Sequence, residues 1–150
     1  MGRVIEATVI VAGAASGIAV TTDEPISFWG GLDPDTGEII DRRHPLSGRN
    51  VAGRVLVLPH GRGSCSASGV FLEAIRNRTA PAAVIVARVD PIIGLGAILG
   101  EELYGRTVPV VLVSPEEHES IADGDRVEIM REGRVVISPG LRSPESRGGR

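Results

Sequence analysis

Three short runs of branched aliphatic residues constrain the fold of this chain more than any other feature. Arg54 to Leu58 (RVLVL), Ala82 to Ala87 (AAVIVA) and Val108 to Val113 (VPVVLV) each have the length of a strand rather than of a helix. A strand that is apolar on both faces is buried on both faces, the condition of a sheet covered on each side. Helical periodicity separates the runs. From Ser66 to Arg78, Val70, Phe71, Ala74 and Ile75 fall on one face. From Ile92 to Leu103 the chain is rich in Ile, Leu, Gly and Ala. Asp90 is suited to cap this second helix, Pro91 to open it and Gly105 to stop it. Gly94, Gly96 and Gly100 imply close packing of that helix on the sheet. Strands alternating with helices predict parallel pairing through crossovers.

The flanks read as additional β structure. Val4 to Val11 is β-branched and predicts one strand, and Ile18 to Thr22 a second. Ser114-Pro115-Glu116-Glu117 has the cap, first position and acidic first turn of a short helix. Asp125 to Met130 and Arg134 to Ile137 flank Arg131-Glu132-Gly133 and predict a hairpin. The expectation is one α/β domain over residues 1–138, a mainly parallel sheet with flanking helices and an added β-hairpin. Residues 139–150, rich in Pro, Gly, Ser and Arg, are expected to be a disordered tail.

Composition excludes several kinds of chemistry. Aromatic residues are only 3% of the chain, so Val, Ile, Leu and Ala must build the core. The single Cys, Cys65, excludes an intramolecular disulfide and a metal site of several thiolates from this chain alone. All 16 basic residues are Arg, which removes Schiff-base chemistry and a Walker-type nucleotide loop. A net charge of −3 argues against a general nucleic-acid binder. No run approaches the roughly 18 apolar residues of a membrane span. The N-terminal apolar run is broken by Glu6, unlike a secretory leader, so the expected location is cytoplasmic, with no membrane partner.

The segment Pro59 to Ser66 carries the most chemical information. A buried strand runs into a Gly-rich loop and then a helix. Such a junction offers free backbone N–H groups and the positive end of a helix dipole to a phosphate, a carboxylate or a developing oxyanion. Gly61 and Gly63 permit close approach of a ligand, and Arg62 can grip a carboxylate bidentately. Ser64 is placed to face a bound anion, and helix-terminal amides could stabilise its alkoxide as a base. Ser66 is the natural N-cap, with Ser64 the alternative. The same pattern also describes a plain capped helix after a tight turn.

Other residues leave alternatives open. Cys65 is either reactive at a helix start or simply packed. His44, in a loop with Asp41, Arg42 and Arg43, either touches substrate or is solvated. Phe28-Trp29 is either a plug under a loop or an anchor for a partner. Asp33-Pro34-Asp35 makes a turn, because a calcium loop would need a distal Glu and no intervening Pro.

Several separated motifs together resemble a known family. Ser27-Phe28-Trp29-Gly30-Gly31-Leu32-Asp33-Pro34, then Thr36-Gly37, then Asp41-Arg42-Arg43-His44-Pro45-Leu46, then Leu58-Pro59-His60-Gly61-Arg62-Gly63-Ser64, are similar to the small subunit of aconitase X. The resemblance covers about residues 3–138. It implies a swivelling β/β/α domain that closes over an aconitase-X large subunit, with the iron or iron–sulfur cluster on that partner and no cofactor bound by this chain alone. It also implies that Gly63-Ser64 supplies the proton-abstracting serine. The Gly-Ser-Ser-Arg continuation of aconitase is absent here, and Arg62, ahead of the serine, stands in place of the arginine that follows it. His44 joins Gly61, Arg62 and Gly63 as an expected substrate contact. The implied reaction is dehydration of a small 3-hydroxy carboxylate, cis-3-hydroxy-L-proline first and mevalonate 5-phosphate second. Two remoter readings of the same loop are a phosphohistidine carrier, for which His60 precedes the loop, and a non-catalytic anion-binding module.

Overall fold

A computed structural model of the chain describes residues 2–62 and 66–140. It contains eight strands, β1 (Arg3–Glu6), β2 (Thr8–Val11), β3 (Ala15–Thr21), β4 (Val55–Val57), β5 (Ala83–Val86), β6 (Val110–Leu112), β7 (Arg126–Ile129) and β8 (Arg134–Ser138). Three helices complete it, α1 (Ser66–Asn77), α2 (Pro91–Tyr104) and α3 (Pro115–Ser120).

The three apolar runs form the centre of the sheet as β4, β5 and β6, which pair in parallel, with β3 parallel to β4. Their alternate side chains serve two cores. Leu56, Val84, Val86 and Val110 face one cluster with Phe71, Ile75 and Ile93 of the helices. Val55, Val57, Ala83, Ile85 and Val111 face a second cluster with Val127, Ile129, Val135 and Ile137. Burial on both faces is why these strands carry no polar alternation.

The expectation of a mainly parallel sheet is corrected. The strand order is β1-β8-β7-β3-β4-β5-β6-β2, and β1–β8, β8–β7, β7–β3 and β6–β2 are all antiparallel. The fold is a mixed α/β one. The predicted single strand over Val4–Val11 is two strands separated by Ala7. They lie at opposite ends of the strand order. One residue cannot span a flat eight-stranded sheet, because neighbouring strands are roughly 4.8 Å apart. The sheet therefore curls until its edges meet, close to a barrel. The predicted hairpin is present as β7–β8, which closes the second core.

Residues 22–54 contain only isolated bridges, yet they are not a loose loop. Ile26, Phe28, Leu32, Ile39, Leu46 and Val51 are all buried against the helical side of the sheet. Phe28 packs against Phe71 in a tilted pair, ring centroids 5.3 Å apart and planes at 40°. Trp29, its neighbour, is 65% exposed. Phe28 is thus a plug, and the indole beside it faces outward.

Both predicted helix caps are present. The Asp90 side chain accepts hydrogen bonds from the N–H groups of Ile92 and Ile93, and Gly105 closes α2 in the left-handed conformation at φ 66°. Ser114 and Glu117 form a reciprocal capping box on α3. The glycines of α2 differ from expectation. Gly96 and Gly100 face Phe71 and Ile75 of α1, so they bring two helices together; Gly94 alone faces the sheet, at Ile10. The disordered tail expected over 139–150 falls, from residue 141 onward, outside the described residues.

Candidate functional site

The carboxyl ends of β4 and β5 lead into two loops that face each other. Sites in parallel sheets lie at this end, because the following helices aim their N-termini there. Both helices do so here. Ser68, in the first turn of α1, donates its hydroxyl hydrogen to the Ile92 carbonyl in the first turn of α2, at 2.9 Å. Two helix dipoles therefore place their positive ends side by side.

Between the loops lies a cleft of about 230 Å3, lined by His60, Gly61 and Arg62 on one side and by Arg88, Val89 and Asp90 on the other. Arg62 and Arg88 are both exposed. Neither guanidinium is hydrogen-bonded or ion-paired within the described residues, so both remain available to an anion. The His60 Nδ1 stands 2.5 Å from the Gly61 carbonyl oxygen. That contact requires a proton on Nδ1.

The loop is held from two sides. Gly61 pairs with Ile26 in a parallel bridge, and the Arg62 N–H donates to the Ile26 carbonyl at 3.1 Å. On the other side the Gly61 N–H donates to the second carboxylate oxygen of Asp90. Gly61 is required here by space: an added Cβ would lie 2.7 Å from Asp90 Oδ2 and 3.2 Å from Ile93 Cδ1.

The predicted site residues separate into three groups. Gly61 and Arg62 line the cleft. Gly63, Ser64 and Cys65 lie outside the described residues. His44 does not line the cleft, and it is not a solvated loop histidine either, being 6% exposed. Its Nδ1 accepts from the Leu46 N–H at 3.0 Å, which places the proton on Nε2, 3.3 Å from the Glu24 carbonyl. Both nitrogens thus serve the backbone on either side of the Phe28–Trp29 segment.

Three residues at or near this end of the sheet were not assigned site roles from sequence. Asp90 was legible as a cap but not as a tether of the loop. Arg88 could have been found from its place just beyond the AAVIVA strand, at the carboxyl end of the sheet. His118 of α3 is buried, and its Nε2 has no hydrogen-bond partner among the described residues. Desolvation lowers its pKa below 6.5, against the opposing pull of the Leu58 backbone and the charges of Asp23 and Glu119. Among the described residues no three His, Cys, Asp or Glu side chains converge as a metal-binding group.

Comparison with known proteins places this geometry. Residues 4–137 match the aconitase X swivel domain. A cis-3-hydroxy-L-proline dehydratase of Pseudomonas aeruginosa is 46% identical over 130 residues, covering 82% of this chain and 22% of that protein. The chain thus spans about a fifth of the length of that relative. A phosphomevalonate dehydratase small subunit of Methanothermobacter thermautotrophicus is 45% identical over 95 residues, 63% of this chain and 72% of the relative. The crystal structure of Thermococcus kodakaraensis aconitase X superposes with a TM-score of 0.81 at 32% identity, covering 90% of this chain and 98% of that one. With nearly all its described strands and helices inside the matched span, the chain belongs to the aconitase X swivel domain family.

Proposed function

We propose that this chain is the small subunit of an aconitase-X-type hydro-lyase, a cytoplasmic enzyme that removes water from a 3-hydroxy carboxylate. The observation that carries this reading is the 46% identity to a cis-3-hydroxy-L-proline dehydratase across a span that includes the whole basic cleft. The first substrate is cis-3-hydroxy-L-proline, converted to Δ1-pyrroline-2-carboxylate.

Arg62 and the amides at the head of α1 hold the substrate carboxylate, and so stabilise the charge that develops when the α-proton leaves. Ser64, outside the described residues, takes that proton as an alkoxide, with Gly63 allowing the approach. His44 acts indirectly, by fixing the segment whose Ile26 backbone supports Gly61 and Arg62. An iron or iron–sulfur group on the large subunit would supply Lewis acidity toward the leaving hydroxyl. One Cys gives this chain no donor set for such a cluster.

The outer face of α2 supports the heteromeric reading. Leu95, Ile98 and Leu103 are exposed on it, and Val89 beside the cleft is exposed too. This apolar surface leads away from the cleft, and the hydroxyproline relative carries about four-fifths of its length beyond the matched domain. We assign the surface to the large subunit.

A second reading, mevalonate 5-phosphate as substrate, is favoured by the 45% identity to a phosphomevalonate dehydratase small subunit and by the second arginine, Arg88, which suits a phosphate. The deciding experiment is water loss from each substrate by this chain co-expressed anaerobically with its large subunit. Turnover of one substrate that needs both chains supports the hydro-lyase and selects the substrate. A metal-loaded pair that dehydrates neither refutes both readings.

A further inference from the structure

We infer that Asp90 is a positioning residue for the proposed reaction, its buried carboxylate tying the anion-binding loop at Gly61 to the N-terminus of α2. The inference rests on the hydro-lyase reading and extends it to a residue that does not itself hold substrate. Asp90 is 6% exposed, and its two oxygens do different work. Oδ1 accepts from Ile92 and Ile93 at 2.9 and 3.1 Å and caps the helix. Oδ2 accepts from Gly61, 29 residues away in sequence.

The identity of the residue points to the second task. Ser, Thr and Asn cap helices about as well as Asp does. Only a carboxylate has a second acceptor oxygen to offer the loop. A negative charge beside Arg62 and Arg88 also opposes the binding of an anion in the same cleft. A cap alone gives no reason for that cost, whereas a tether does. Three N–H donors compensate the buried charge, and the missing Cβ of Gly61 lets the two backbones come within reach. With the tether gone, Gly61 and Arg62 are held, among the described residues, from the Ile26 side alone.

Asp90→Ser separates the two tasks, since a serine hydroxyl still caps the helix but offers nothing to Gly61. Asp90→Asn provides a second test, because it keeps the shape and turns an amide N–H toward the Gly61 N–H. In the 15N-labelled full chain, the Gly61 amide proton is expected to move upfield and exchange faster in both variants. The Ile92 and Ile93 amides should stay protected, and the melting temperature should fall by a few degrees as the Gly61 N–H loses its acceptor. In the pair with the large subunit, kcat should fall about tenfold to a hundredfold, the effect of a small misplacement of reacting groups.

An unchanged Gly61 amide, or wild-type kcat in Asp90→Ser, overturns the inference. So does a loss of turnover that appears only with deprotection of Ile92 and Ile93, which marks a cap and nothing more. A wild-type pair that dehydrates no 3-hydroxy acid refutes the hydro-lyase reading instead, a result distinct from active variants of an active enzyme.

Discussion

Gly96→Ala and Gly69→Ala are the same chemical change in two adjoining helices, and the structure predicts opposite signs. Alanine in place of glycine inside a helix stabilises by about 1 kcal/mol, through lower backbone entropy in the unfolded chain and better propensity. At Gly69 no described residue lies within 4 Å of the added Cβ, so about 0.5–1 kcal/mol of that gain should be realised. At Gly96 the Cβ would stand 2.8 Å from Phe71 Cδ2 and 3.2 Å from the Ser68 carbonyl oxygen. Neither neighbour yields easily. Ser68 O is backbone, and Phe71 is fully buried and packed against Phe28. Overpacking of this kind costs about 1–3 kcal/mol, which exceeds the propensity gain. The net effect at Gly96 should be a loss of about 1 kcal/mol. For a domain of this size 1 kcal/mol is about 2–4 °C in Tm, so the two variants should melt roughly 3–8 °C apart. Thermal melts followed by circular dichroism, with urea titrations to confirm the free energies, measure this directly. If Gly96→Ala melts as high as Gly69→Ala, the close contact of α1 with α2 is wrong.

Three further outcomes are expected. Ser64→Ala in the assembled enzyme should reduce kcat by about 10² or more, as the loss of a positioned proton acceptor does; steady-state kinetics showing near wild-type turnover would remove Ser64 from the mechanism. His118 should make stability fall in mild acid. Its pKa is depressed on folding, so its contribution is complete above 6.5, the unfolded value, and is lost as the pH drops toward the lower folded value. His118→Leu should flatten the change in urea midpoint between about pH 7 and 5, a range chosen around the ordinary histidine value; an unchanged slope would contradict the assignment. Leu95→Glu with Ile98→Glu should leave the isolated chain folded, because both side chains are exposed, and weaken its pairing with the large subunit in size-exclusion chromatography. Wild-type pairing by the double variant would move the interface elsewhere.

The parallel half of the fold was legible in the sequence, and the antiparallel half was only partly so. Val55–Val57, Ala83–Val86 and Val110–Leu112 are buried on both faces, and that burial is written as unbroken apolar runs. β1, β7 and β8 alternate buried with less buried residues. Alternation reveals a strand without revealing its neighbours. The break at Ala7 carries no turn residue, because the chain does not reverse there. It passes from one edge of a curled sheet to the other. Likewise the glycines of α2 announce a close approach, but not to which element. Only the packing shows that Gly96 and Gly100 meet α1.

The site shows the same division between what is local and what is tertiary. A strand, a Gly-rich loop and a helix in succession are a local arrangement, and Gly61 and Arg62 were found through it. Asp90 has a local role, the cap, that fully accounts for its position in the sequence. Its second role depends on a loop that only the sheet brings beside it. His44 errs in the opposite direction. A histidine that follows three charged residues looks like a surface group, but its ring is held by backbone from Glu24 and Leu46. The Phe28–Trp29 segment offers two readings in sequence, a plug or an anchor. The chain turns at this point, with the Phe28 carbonyl accepting from the N–H groups of Gly31 and Leu32, and the turn leaves one ring in the core and the other facing solvent. A residue's local role therefore does not exhaust what it does. In this chain the side chains that carry function without a motif, Asp90 above all, are those whose local duty leaves a polar atom free for a distant partner.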